Sequence, residues 1–119
     1  MDANRLTRKS QEALAAAQRR ALTGGNPALE PAHLLWALVQ DDQGIAVAVL
    51  EALGADRAVV RDAADKLVSN LPSASGSTVS APAASGELQR VLAAAMERAS
   101  ARGDEYVSTE HLLLALAAG

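Results

Sequence analysis

Glu30-Pro31-Ala32-His33-Leu34-Leu35-Trp36-Ala37-Leu38 is answered, near the other end of the chain, by Ser108-Thr109-Glu110-His111-Leu112-Leu113-Leu114-Ala115-Leu116. A fixed offset of this kind decides what the structural unit is, so it comes before any local reading. Carried outward without gaps, the offset pairs residues 11–41 with 89–119, and 13 of those 31 positions are identical. Gln11/Gln89, Leu14/Leu92, Arg20/Arg98, Gly25/Gly103 and His33/His111 are among them. Alanine inflates the count, but the His-Leu-Leu-x-Ala-Leu core and the glycine ahead of it do not coincide by composition. The chain reads as two copies of one helical unit.

Each copy opens with a helix. Leu6 to Leu22 has helical spacing, with Thr7 as N-cap, Leu6 ahead of it as a hydrophobic staple, and Leu14, Ala17 and Ala21 on one stripe. Residues 1–5 read as an extended lead-in. Thr23-Gly24-Gly25-Asn26-Pro27 stops that helix, because glycine permits a left-handed closing residue and proline bars continuation. Pro31 suits the first position of the next helix, whose buried face is expected from Leu34, Leu35 and Leu38; Asp41-Asp42-Gln43-Gly44 ends it. Ile45 to Leu53 predicts a short third helix closed at Gly54. A fourth is predicted from Asp56 or Arg57 to Asn70, with Val59, Val60, Ala63, Leu67 and Leu71 inward. Glu87 to Arg102 repeats the first helix, with Leu88, Val91, Leu92, Ala95 and Ala99 on its stripe. Thr109 to Ala118 repeats the second, with Ser108 as cap and Glu110 in its first turn.

The resulting expectation is an all-α fold of two tandem helical repeats in a pseudo-twofold relation, the second truncated. Residues 1–71 form the first repeat, 72–86 a flexible Ser/Ala/Pro/Gly linker without charge, and 87–119 the second, incomplete repeat. Counterparts of residues 42–71 would lie beyond Gly119. A fragment or truncated module is therefore expected, with apolar surface on Leu112, Leu113 or Leu116 short of cover and open to self-association.

Composition excludes several classes. Without cysteine there is no disulfide, thiolate metal site or thiol nucleophile. A net charge of −3 with both signs interspersed argues against nucleic acid, and Trp36 and Tyr106, the sole aromatics, provide no base-stacking platform. Apolar runs fall short of a membrane span and the N-terminus lacks a signal-peptide core, so a cytoplasmic location is expected. Nor is a catalytic constellation present. His33 and His111 each stand third in a helix without converging ligands and read as hydrogen-bonded core imidazoles. Asp41-Asp42 and Asp104-Glu105 are neighbours in turns, where two carboxylates cannot face each other across a substrate, and they read as solvated charges. The Arg5, Arg8, Lys9, Arg19, Arg20 cluster reads as a solvated helix face, and Trp36 as core.

Several motifs together carry a family likeness. Arg5-Leu6-Thr7-Arg8-Lys9-Ser10-Gln11-Glu12-Ala13-Leu14, the Glu30-Pro31-Ala32-His33-Leu34-Leu35 helix start, Leu71-Pro72, and Asp104-Glu105-Tyr106-Val107-Ser108-Thr109-Glu110-His111 resemble the Clp N-terminal domain family, in its ClpB (Hsp104-type) disaggregase branch. The resemblance implies a substrate-engaging domain of a hexameric AAA+ chaperone that acts with the DnaK system on unfolded or aggregated polypeptides. ATP and Mg would belong to ATPase modules elsewhere in the parent, since this stretch has no Walker motif and no cofactor of its own. It also implies client contact at a groove between the repeats, with polar positions that match Thr7, Asp104 and Glu110. Leu88, Val91, Leu92 and Tyr106 are the expected apolar lining. The alternative within the family is the adaptor-docking N-domain of ClpC or ClpA unfoldases; against it stands Asp104-Glu105-Tyr106-Val107-Ser108-Thr109, where that branch carries His-Asn-Tyr-Ile-Gly-Thr.

Overall fold

The computed structural model describes residues 3–41, 43–73 and 82–118. Six helices make up most of the described residues: α1 (Arg8–Thr23), α2 (Pro31–Gln40), α3 (Ile45–Ala52), α4 (Arg57–Ser69), α5 (Gly86–Ala101) and α6 (Thr109–Ala118). The fold is all-α apart from a two-residue parallel pair, β1 (Ala28–Leu29) with β2 (Ala83–Ala84), and an isolated parallel bridge between Leu6 and Val107. The expected extended lead-in is instead a 3₁₀ turn over Ala3–Arg5.

Helix starts follow local chemistry. Thr7 caps α1, its Oγ1 accepting from the Ser10 N–H at 3.2 Å, and Ser85 caps α5 in the same way, accepting from the Leu88 N–H at 3.1 Å. Residues 82–85, read from composition as linker, are thus ordered: Pro82 is buried, Ala83 and Ala84 pair with β1, and Ser85 begins the helix. The rest of the expected linker, residues 74–81, lies outside the described residues, as does Asp42.

The two long helices end alike. At α1 the Gly25 and Asn26 amides donate to the carbonyls of Leu22 and Ala21; at α5 those of Gly103 and Asp104 donate to Ser100 and Ala99. This is the Schellman arrangement, and its closing residue needs positive φ, which Gly25 (67°) and Gly103 (74°) supply.

The core lies where α1, α2, α5 and α6 meet. Ala17, Ala21, Leu34, Leu88, Ala95, Ala99, Val107 and Leu112 are all fully buried there. Alanine at four of these positions lets helix axes approach closely, so that a few leucines fill what remains. α6 packs against α1, α2 and α3 as well as α5. Leu112, expected to lack cover, is therefore buried; Leu113 and Leu116 are half-buried, and the exposed leucine of this helix is Leu114.

α4 lies across α2 in a different rotation from the one its spacing implies. Ala64 and Val68 face inward, whereas Val59 (65% exposed) and Leu67 (51%) face outward. Arg61 contributes to this register: its guanidinium donates to the carbonyls of Val39 and Gln40, two acceptors left over at the end of α2. Trp36, expected in the core, is half-buried at the same junction. Its Nε1–H donates to Asp65 at 2.7 Å, and the Arg20 guanidinium stands 5.8 Å from its ring centre.

Candidate functional site

The connectors from α1 to α2 and from α5 to α6 are built on one plan, and the candidate site grows from the second of them. Asn26, which closes the Schellman turn, turns its side-chain oxygen to His33 Nε2 at 2.9 Å. His33 Nδ1 in turn accepts the Glu30 N–H at 2.9 Å, serving one of the amides that a helix start leaves unpaired. At the matching place in the second copy, Asp104 stands 2.9 Å from His111 Nε2, and His111 Nδ1 accepts the Ser108 N–H at 2.9 Å. Because Nδ1 accepts a backbone N–H in both, each neutral ring carries its proton on Nε2. The imidazoles are therefore parts of helix caps; no group of three or more potential metal ligands occurs among the described residues. Burial, with the nearby Arg20 charge adding to it, holds the His33 pKa below its ordinary 6.5.

Two backbone clasps join the halves of the chain. The Thr7 N–H donates to Val107 O (3.1 Å) and the Val107 N–H to Arg5 O (2.7 Å), while the Ser85 N–H donates to Leu29 O (2.9 Å). The repeat offset that carries His33 onto His111 also carries Thr7 onto Ser85 and Leu29 onto Val107, so the clasps are reciprocal. Around the first clasp the Ser10 hydroxyl, buried, donates to Val107 O at 2.9 Å and accepts from Thr7 Oγ1 at 3.0 Å; Arg5 Nε donates to Glu105 O.

The polar positions that the family resemblance implies fall together here. Thr7 is tied by its backbone to the loop that carries Asp104 and Tyr106, and its hydroxyl is committed to the α1 cap. Asp104 and Glu110 share Arg102, whose Nε stands 3.8 Å from Asp104 and whose Nη1 stands 3.3 Å from Glu110. All three side chains are about half exposed, so the ion pairs contribute little stability, in the range of ~0–1 kcal/mol.

The expected apolar lining does not form one surface. Tyr106 is exposed, Val91 and Leu92 are half-buried against the core, and Leu88 is wholly buried. Leu88 is thus a core residue, placed there because it stands where α1 has the inward-facing Ser10. A groove of about 650 Å³ runs instead between α1 and the α2–α3 junction; Ala13, Ala37, Leu38 and Ala46 in its walls are buried, and Ala16 and Ile45 offer its more exposed apolar surface. Lys9, Glu12, Arg19 and Asp41 bring charges of both signs to it, Lys9 and Asp41 paired at 3.4 Å, and Thr109 of α6 meets it from the second half. No motif marks these wall residues as a site in the sequence. The histidine sockets do leave a signal there, an Asn or Asp at the seventh position before each histidine.

Two like connectors joined by reciprocal backbone clasps define an all-helical repeat domain. Residues 5–119 match the Clp repeat (R) N-terminal domain, and the chain belongs to that family. It is 51% identical over 117 residues to the chaperone protein ClpB of Propionibacterium freudenreichii subsp. shermanii, covering 98% of this chain and 14% of that protein. It is 44% identical over 119 residues to ClpB of Mycobacterium tuberculosis, covering all of this chain and 14% of that one. The chain thus spans about one-seventh of the length of these relatives. Among solved structures, the Hsp104 N-terminal domain from Candida albicans superposes with a TM-score of 0.85 at 21% identity, covering 93% of this chain and 72% of that one, a likeness of fold.

Proposed function

We propose that this chain is the client-engaging N-terminal domain of a ClpB-type AAA+ chaperone, taking hold of unfolded or aggregated polypeptide and presenting it to an ATPase ring. The observation that carries the reading is the groove between α1 and the α2–α3 junction. Its small apolar side chains leave room for the side chains of an extended segment, and its mixed charges impose no strong preference on what enters. Such a surface binds weakly and broadly. Several copies tethered around one ring raise the effective concentration enough to make weak binding useful. Glu110 follows the groove's Thr109 in sequence and Thr7 stands two residues before its Lys9, which supports reading these two beside the groove. In this reading ATP and Mg act in the ring, the parent is a hexamer working with DnaK in the cytoplasm, and this domain hydrolyses nothing. No helix among the described residues is long and apolar enough to cross a membrane.

The test is binding of the chain to a reduced, carboxymethylated protein that cannot refold, and to the same protein in its native state. Ala16→Arg, on the half-buried groove wall, is expected to abolish binding while leaving the circular dichroism spectrum unchanged. Equal binding to native and unfolded protein, or binding untouched by Ala16→Arg, refutes the reading.

A further inference from the structure

The two histidine sockets share one plan, Nδ1 accepting a backbone N–H and Nε2 meeting a side-chain oxygen, but in the second Asp104 stands for Asn26 and the Ser108 hydroxyl also lies 3.0 Å from His111 Nδ1. Asn26 and Asp104 each close a Schellman turn, and each places an oxygen 2.9 Å from Nε2 of the histidine that follows it, His33 or His111. A neutral amide therefore meets the demand of the socket in the first connector. The charge on Asp104 is not needed for it in the second.

What each residue does with its other polar atom differs. Asn26 Nδ2 donates to Pro72 O at 2.9 Å, a bond a carboxylate cannot make. Asp104 is the more exposed, beside Arg102, and Arg102 also holds Glu110. His111 itself has only 5% of its side chain exposed. If its Nε2–H loses the acceptor, a buried donor is left unpaired, and the other tautomer becomes competitive. That tautomer gives its Nδ1–H to the Ser108 hydroxyl, 3.0 Å away, and leaves the Ser108 N–H without its acceptor. The start of α6 then loses the tie that holds it, and with it the placement of Thr109 on the groove.

We propose that Asp104 is a positioning residue: it holds His111 as the Nε2–H tautomer and so fixes the start of α6, including the place of Thr109 on the groove. That this placement serves a client rests on the client-engaging role proposed above; the hold on His111 does not.

Asp104→Asn and Asp104→Ala separate the alternatives. Three quantities are measured on the whole chain: the imidazole nitrogen resonances, simple to assign with two histidines; hydrogen exchange of the Ser108 amide; and binding to a reduced, carboxymethylated protein. Asp104→Asn, which reproduces the first socket, is expected to keep the His111 tautomer, the Ser108 protection and the binding of the wild type. Asp104→Ala is expected to lose all three together. The proposal is overturned if Asp104→Asn loses binding as fully as Asp104→Ala while His111 keeps its tautomer, for then the client reads the carboxylate directly. It is equally overturned if Asp104→Ala leaves the His111 tautomer and Ser108 protection intact. Should the wild type fail to bind the unfolded protein, the client-engaging role falls, and the resonances and exchange still decide whether Asp104 holds His111.

Discussion

Leu88→Ala separates a core residue from a client-contacting one. The side chain is wholly enclosed among the apolar residues of the core, so truncation removes three carbons from a site with no solvent to refill it. A fully buried Leu→Ala change costs about 3 kcal/mol or more. For a chain of 119 residues the unfolding entropy is about 0.25 kcal/mol per kelvin, so the melting temperature should fall by about 12 °C. The assay is a thermal melt by circular dichroism, paired with binding to an unfolded protein well below the transition. Affinity per folded molecule should be unchanged, because Leu88 presents nothing to the exterior. A melting temperature lowered by less than about 3 °C, together with lost affinity, would place Leu88 at a surface and refute the packing described here.

Ser10→Ala, at the matching place in α1, should cost only ~1 kcal/mol, or about 4 °C, because Val107 O keeps the Thr7 N–H when the hydroxyl is gone; a loss as large as that of Leu88→Ala would contradict this. Gly103→Ala meets no neighbouring atom but forces a side chain into positive φ, so a destabilisation of ~1–2 kcal/mol is expected, read from urea unfolding, and no change would rule out the left-handed turn. The lowered pKa of His33 means that the unfolded ring binds a proton more readily than the folded one. Its contribution to stability is complete above the ordinary 6.5 and declines as pH falls below it. His33→Gln keeps an acceptor for the Glu30 N–H and should flatten the fall in urea midpoint below pH 6.5; an identical fall in both proteins would exclude His33 as its source.

Much of the fold is legible in the residues. Thr7, Pro31, Gly25 and Gly103 fix helix boundaries through constraints that act over a single turn, so they can be read without knowing the fold. Ser85 obeys the same capping rule but is hidden in Ala-Pro-Ala-Ala-Ser-Gly, where composition speaks for a linker and only the distant Leu29 makes it a strand end. In α4 the stripes Val59-Ala63-Leu67 and Val60-Ala64-Val68 are offset by a single position and equally apolar. The choice between them depends on how α4 lies on α2, where Arg61 reaches two free carbonyls, and periodicity cannot see that partner. Leu88 and Val91 share a helix stripe, and a stripe does not say which of its members faces solvent. Asp104 and His111 read in isolation as a solvated charge and a core ring. The bond between them is visible only once Asn26 and His33 are set beside them.

The reciprocal clasps also set an order of events during synthesis. Helices α1 to α4 can form as they leave the ribosome, but Leu6 and the Ser10 hydroxyl cannot meet Val107 until it emerges, just ahead of α6. Leu29 likewise waits for Ala84. Contacts this distant along the chain slow closure, and until it happens the apolar flank of α1 is open to other nascent chains. With the function proposed above, a domain that receives unfolded polypeptide spends its own early life as one.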